Sequence, residues 1–310
     1  METSQRGRKQ MIFRRRFLAD TAARIVVAGY RIGTAQATIT TVTKNGYVRV
    51  NGLDIYHEIH GSGEPLLLLH GGLGAGETFN EIMPLLSKGR SVVTADLQGH
   101  GRTADVDRPL KIETMASDIV ALIKELGLTQ IDLMGYSLGG AVALRIAIDN
   151  PQILRKLVLV STAVRRDGWY PEILSAMDQI GAAAEPMKKT PIYEMYSRIA
   201  PRPADWPKLL TKMEELLRKE YDWSEEVRRI KAPTLLAFGD ADAVRTAHAV
   251  QFFELFGGGK RDGGWDGSGM CRAQLAILPG LTHYNIFKSP ALASTAEAFL
   301  SGLTGLRSDS

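Results

Sequence analysis

Ile131-Asp132-Leu133-Met134-Gly135-Tyr136-Ser137-Leu138-Gly139-Gly140-Ala141-Val142-Ala143-Leu144-Arg145-Ile146-Ala147 is the stretch from which the fold is read. It opens as a short apolar run of strand type, passes through the pentapeptide G-x-S-x-G at 135–139, and continues as a run of helix formers. The pentapeptide alone is a weak sign, and its setting gives it meaning. A serine in the tight turn between a strand and a helix stands with its hydroxyl clear of the backbone. Gly135 and Gly139 let strand and helix approach closely around it. The helix N-terminus brings partial positive charge, and the free N–H of Leu138, to the place where an oxyanion would form. Ser137 is therefore the candidate nucleophile.

The same alternation extends in both directions. Upstream, Tyr47–Val50 and Leu53–Ile59 flank Asn51-Gly52, a hairpin signal. Short apolar runs recur at Leu66–Leu69, Ser91–Ala95, Leu157–Val160, Thr234–Phe238 and Gln274–Leu278. Helical segments lie near 77–87, 112–126, 138–149, 243–256 and 290–302. Continuous apolar strands alternating with amphipathic helices predict an α/β fold: a mostly parallel central sheet with helices on both faces. Between Val160 and Pro233 no strand is evident. Prolines at 171, 186, 191, 201, 203 and 207 divide this interval, which also holds Trp169, Trp206 and Trp223. It predicts a helical cap insertion over the C-terminal edge of the sheet. The domains expected are a core of 39–163 and 231–310 and a cap of 164–230, with Trp169, Tyr170 and Tyr196 as candidate substrate-binding residues. The Gly-rich segment 257–269 leads into a strand, not a helix N-terminus, and so does not read as a phosphate cradle.

A serine nucleophile needs a base, and the base an orienting acid. The chain order expected for this architecture is Ser, acid, His, each at a strand end. Of six histidines, only His283 has that order and place. His57 and His60 are three residues apart on a strand and make a poor metal pair. His248 falls on a helix, and His70 and His100 precede glycines in loops upstream of Ser137. Two acids, Asp240 and Asp242, follow the strand ending at Phe238.

From Tyr47 to about Leu303 the chain resembles the α/β-hydrolase fold family. In that family the acid usually follows a Gly by three residues after its strand, a spacing that matches Asp242, with Asp240 as the fallback. His70-Gly71-Gly72-Leu73-Gly74 looks like the family's His-Gly oxyanion loop. The likeness implies the backbone N–H of Gly72 as the second oxyanion donor, or Leu73 if the loop winds differently. Asp96-Leu97-Gln98-Gly99-His100-Gly101 is similar to the family's Asp-x-x-Gly-x-Gly turn, which makes Asp96 and His100 structural. The resemblance implies hydrolysis of small to medium hydrophobic carboxylic esters through an acyl-enzyme, with no cofactor. A carboxylate nucleophile, as dehalogenases and epoxide hydrolases require, is absent from the elbow. Lactonase, cofactor-free perhydrolase and C–C hydrolase share the same triad and stay open, as does ligand binding without turnover. Met177, Met187, Met195 and Met213 favour an apolar acyl or alcohol group.

Composition is that of a globular protein, 45% hydrophobic and 23% charged over 310 residues. The single cysteine, Cys271, allows no internal disulfide. It lies beside the Gly-rich segment, with no motif placing a His near it. Net charge is +4, but residues 1–38 hold eight Lys/Arg against two acids, leaving 30 basic and 32 acidic residues in the rest. A nearly neutral body without a basic stripe gives little support to nucleic-acid binding, and no segment reads as a stable membrane span. Arg14-Arg15-Arg16-Phe17-Leu18, the apolar stretch around 25–29 and Ala35-Gln36-Ala37 resemble a twin-arginine export leader, although Asp20, Arg24 and Arg31 interrupt it. The plainer reading is a disordered basic arm. The leader predicts a periplasmic or secreted protein with a small-molecule ester or lactone substrate. A reporter fused behind residues 1–40 is expected to reach the periplasm, and the double change Arg14→Lys/Arg15→Lys to hold it in the cytoplasm. A reporter indifferent to that change rejects the leader.

Overall fold

The computed structural model describes residues 42–302; the export-leader segment lies outside them. Eight strands form one sheet: β1 Val42–Val50, β2 Leu53–Gly61, β3 Glu64–Leu69, β4 Arg90–Ala95, β5 Ile131–Tyr136, β6 Leu154–Val160, β7 Thr234–Ala241 and β8 Ala273–Thr282. Their spatial order is β1-β2-β4-β3-β5-β6-β7-β8. β1, β2 and β4 pair antiparallel in succession, and the sheet is parallel from β4 to β8. The opening hairpin turns on Asn51 (φ 48°) and Gly52 (φ 80°), with Val50 opposite Leu53. Two positive φ values in succession match the strand twist.

The parallel strands are apolar on both faces because helices cover both. On one face Leu67, Leu69 and Leu133 meet α2 (Ile112–Glu125) and α3 (Leu138–Asp149), and Phe252 of α9 (Thr246–Leu255) belongs to the same cluster. On the other, Leu66, Leu68 and Met134 share a cluster with Phe79, residues of α1 (Met83–Leu86) and residues of α10 (Pro290–Leu300). The expected helix over 77–87 is instead a 3₁₀ turn, Gly76–Phe79, followed by the single turn α1. Pro84 explains the break, since proline has no N–H to give and fits only the first turn of a helix.

Between β6 and β7 stand α4 (Pro171–Met177), α5 (Ala184–Met187), α6 (Pro191–Ile199), α7 (Trp206–Leu217) and α8 (Ser224–Val227), the helical cap. Several prolines that read as breakers start helices here: α4, α6 and α7 each carry one in the first turn. Trp206 is fully buried and donates its indole N–H to the Ala184 carbonyl at 2.9 Å, binding α7 to α5. Lys212 of α7 reaches the core. Its ammonium donates to Asp105 Oδ1 and Oδ2 (2.9 and 2.7 Å) and to the carbonyls of Val106 (2.9 Å) and Arg108 (2.7 Å).

At the sheet edge opposite Ser137, an ionic cluster ties three strands to the last helix. Arg90 of β4 pairs with Asp132 of β5 at 2.9 Å and with Glu297 of α10 at 3.0 Å. Arg155 of β6 meets Asp132 at 3.3 Å. Burial pushes the Asp132 carboxyl up to about 6, against the pull of Arg90 and Lys156. Removing a buried acid strands its cation, at about 3–5 kcal/mol for a fully enclosed pair. Because Glu297 stays with Arg90, Asp132→Ala is expected to cost about 3 kcal/mol in denaturant unfolding. It should leave the geometry around Ser137 intact. A loss below about 1 kcal/mol contradicts this account of the edge.

Candidate active site

Ser137 ends β5 and starts α3 with φ 53° and ψ −114°, a conformation that non-glycine residues rarely adopt. Three bonds hold it there. Its N–H donates to the Val160 carbonyl (2.9 Å), and its carbonyl accepts from Ala141 N–H (3.0 Å) and Thr162 Oγ1 (3.2 Å). The flanking glycines are sterically required. A Cβ on Gly135 would lie 2.3 Å from the Gly139 carbonyl oxygen, and one on Gly139 would lie 2.2 Å from the Leu69 carbonyl oxygen.

The expected base and acid arrive from β8 and β7. His283 Nε2 is 3.1 Å from Ser137 Oγ, and His283 Nδ1 is 3.0 Å from Asp242 Oδ1. Ionised Asp242 accepts only, so Nδ1 carries the proton and the Nε2 lone pair faces the serine hydroxyl. Asp242 is buried. Its Oδ1 also accepts from Val244 N–H, and its Oδ2 from Gly239 N–H, at 3.1 Å each. Burial raises its carboxyl, but the hydrogen bonds of His283, Ser161 and Val244, with the charge of His283, outweigh burial and hold it below the ordinary value. The fallback acid, Asp240, is exposed and accepts from Gly280 N–H at 2.8 Å, away from His283.

Two supporting residues escaped the sequence reading. Ser161, also at positive φ (51°), donates its hydroxyl to Asp242 Oδ2. Its signal was a polar residue directly after a buried strand, at the edge that bears Ser137. Tyr136 donates its hydroxyl to the His283 carbonyl at 2.6 Å and packs its ring 5.2 Å from the imidazole and 4.9 Å from Phe287.

The loop expected to hold an oxyanion is built around His70. His70 Nδ1–H donates to the Gly71 carbonyl (2.7 Å), and Nε2 accepts from Leu97 N–H (3.0 Å). Burial, then the neighbouring His100, drives His70 down to about 3, so it stays neutral in this bridging tautomer. His100 is driven to about 4 by burial and bonds the Gln98 carbonyl at 2.8 Å. Asp96 accepts from the N–H groups of Gly76 and Arg102, at 2.7 Å each, while burial raises its carboxyl to about 6. Asp96 and His100 thus brace the loop. The loop closes over Ser137: a Cβ on Gly71 would lie 2.6 Å from the Tyr136 ring and 3.4 Å from Ser137 Cβ. Among the described residues, the backbone N–H groups of Gly72, Leu73 and Leu138 have no protein acceptor.

Over this cluster lies a cavity of about 320 Å³. Its floor is Gly71–Gly74, Tyr136, Ser137, Leu138 and His283, and its roof is largely aliphatic side chains of the cap. Of the aromatic residues expected to contact substrate, only Trp169 lines it, with its ring edge-on to His283 at 5.4 Å. Tyr170 faces solvent and caps α4 through its backbone. Tyr196 is buried against Trp206 at 5.1 Å. Neither lines the cavity, and Tyr221 does so instead. Met177, Met187 and Met213 line it, and Met195 does not. No group of three or more His, Cys, Asp or Glu arranged to hold a metal ion occurs among the described residues. None of their helices is long and apolar enough to cross a membrane.

Residues 64–259 match the sequence profile of the α/β hydrolase fold family. A pyrrolizixenacetamide deacetylase of Xenorhabdus hominickii is 36% identical over 114 residues, 36% of this chain and 43% of its own length. The serine hydrolase BPHL of Mus musculus is 29% identical over 214 residues, 66% of this chain and 73% of that protein. The structure of a thermophilic esterase from Thermogutta terrifontis superposes with a TM-score of 0.64 at 22% identity, covering 87% of this chain and 99% of that one.

The Asp242 contacts carry a test. In Asp242→Asn an amide NH₂ must face at least one donor among His283, Ser161, Gly239 and Val244, disfavouring the working tautomer. Labelling of Ser137 by a fluorophosphonate is expected to slow by about 10³- to 10⁴-fold. A folded carboxyl below its ordinary 3.8 adds stability that is complete above that value and is lost as pH falls through the folded value. The stability gap between wild type and Asp242→Asn should therefore narrow as pH drops below 3.8, as acid unfolding would record. A constant gap refutes the ionised assignment.

Proposed function

The chain belongs to the α/β-hydrolase fold family, and from that premise we propose that it is a serine hydrolase cleaving carboxylic esters of small to medium hydrophobic substrates through an acyl-enzyme. One observation carries the reading. An unbroken Ser137–His283–Asp242 relay, with bonds of 3.1 and 3.0 Å, opens onto a largely apolar cavity of about 320 Å³. The similar proteins named as a deacetylase, a serine hydrolase and an esterase support hydrolytic acyl chemistry without choosing the acyl group.

The reaction follows from the atoms in place. Ser137 Oγ attacks the ester carbonyl as His283 Nε2 takes its proton. The developing oxyanion meets Leu138 N–H at the positive end of α3 and Gly72 N–H from the loop braced by His70. Asp242 holds the imidazole tautomer and stabilises the imidazolium. His283 then gives its proton to the leaving alcohol, and the ester C–O bond breaks. A water enters, gives its proton to the same nitrogen and attacks the acyl carbonyl; the bond to Ser137 Oγ then breaks, the proton passes from His283 to Oγ, and the acid leaves. The apolar roof keeps bulk water out, which strengthens each of these electrostatic contacts.

A panel of p-nitrophenyl esters, lactones and peracid assays, run beside Ser137→Ala, tests the proposal. Turnover of short- to medium-chain esters is expected, falling at least about 10⁴-fold in Ser137→Ala, the scale seen when a triad nucleophile is removed. Activity confined to charged or polymeric substrates, or fluorophosphonate labelling that survives in Ser137→Ala, rejects it. A marked preference for lactones would move the substrate to cyclic esters with the same machinery.

A further inference from the structure

The cavity roof contains a polar group with no task in the mechanism above. Tyr221 follows α7 and lines the cavity. Its position is fixed from three sides. Its carbonyl accepts from Arg166 N–H at 3.0 Å, its ring packs on Trp223 at 4.9 Å, and its hydroxyl oxygen accepts from the Trp169 indole N–H at 3.1 Å. Burial raises the phenol to about 12, so it keeps its proton throughout the working range. That proton has no protein acceptor among the described residues, and the half-buried ring places it at the cavity wall, where a bound molecule can accept it. The indole that orients the hydroxyl is itself edge-on to His283 at 5.4 Å. The free O–H is therefore one side chain away from the catalytic base, in a space otherwise lined mainly by aliphatic groups.

We propose that the Tyr221 hydroxyl is a specificity-determining donor. The natural substrate is then an ester, open or cyclic, with a second oxygen acceptor (keto, ether or amide carbonyl) a few bonds from the scissile carbonyl. This rests on the ester-hydrolase reading and narrows its substrate class. Trp169 is the positioning residue: its N–H occupies one lone pair of the phenol oxygen and so directs the O–H elsewhere. A plain hydrocarbon chain fills the same space but leaves the hydroxyl proton without a partner, and the site discriminates against it on that account.

The test is a series of p-nitrophenyl hexanoate analogues, each with one chain methylene replaced by an ether oxygen or a keto group at successive positions. The kcat/KM of each is divided by that of hexanoate, in wild type and in Tyr221→Phe. Comparing the two ratios cancels the intrinsic reactivity of each ester. For at least one position the wild-type ratio is expected to exceed the variant's by about 3- to 10-fold, the effect of one neutral hydrogen bond. Ratios within twofold of each other at every position overturn the proposal. If Tyr221→Phe does not fold, as judged by circular dichroism, the wild-type series normalised to alkaline hydrolysis decides on the same threshold. Turnover of hexanoate without any oxygen preference removes this inference alone. No Ser137-dependent turnover of any ester removes the hydrolase reading and this inference with it.

Discussion

The chemistry of this molecule depends on how closely β5 approaches α3. At Gly135 an added methyl group would overlap the Gly139 carbonyl oxygen of α3, and at Gly139 one would overlap the Leu69 carbonyl oxygen of β3, the strand beside β5. The turn between these two glycines holds Ser137 at positive φ. Such a conformation costs on the order of 1–3 kcal/mol. The three hydrogen bonds on the Ser137 backbone, to Val160, Ala141 and Thr162, offset it. Val160 and Thr162 also flank Ser161, the residue that donates to Asp242. The end of the strand beside the elbow therefore holds the Ser137 backbone and donates to Asp242 with consecutive residues.

Parallel pairing completes the assembly. Because β5, β6, β7 and β8 run the same way, their C-terminal ends bring Ser137, Ser161, Asp242 and His283 to one edge. Burial separates the histidines by role. His70, His100 and His248 are held neutral by desolvation, each with a ring nitrogen bonded to the backbone. They serve as fixed struts. Of the two histidines that approach a carboxylate, His60 meets Glu58 on β2 at 3.1 Å, remote from the elbow in sequence and sheet order. His283 alone among the described histidines joins a carboxylate to a serine hydroxyl.

The elements at the sheet edge were legible because local rules decide them. Strand, elbow and helix occupy adjacent residues, and Asn51-Gly52 codes its own turn. Asp242 was harder to read, since Asp240 satisfies the same chain order. The structure separates them by the bulge between Gly239 and Ala241 in the β7–β8 register, after which Asp240 faces solvent and Asp242 turns inward. The cap was legible as helices but not as a surface. Three of its five helices have proline at one of their first two positions, and only α7 runs beyond nine residues, so an apolar face can be read in sequence for α7 and hardly for the shorter helices. Tyr170 and Tyr196 are aromatic residues of the right interval, yet neither lines the cavity. Tyr221 lies in a loop whose orientation depends on the backbone of Arg166. Pro84 similarly converted an expected helix of three turns into a 3₁₀ turn and a fragment.

The seam between cap and core is registered to Asp242. Residues 168–170 and 243–245 are laced together by Tyr170 N–H to the Ala243 carbonyl at 3.2 Å, Arg245 N–H to the Gly168 carbonyl at 2.9 Å and the bridge between Trp169 and Val244. Val244 is the residue whose N–H bonds Asp242, at 3.1 Å. The cap is held at its other margin as well: Trp206 ties α7 to α5, and the Lys212 ammonium ties α7 to Asp105 and to the carbonyls of Val106 and Arg108. The cap is therefore anchored on both sides of the cavity, and the wall that carries Trp169 shares its backbone bonds with the loop that fixes Asp242.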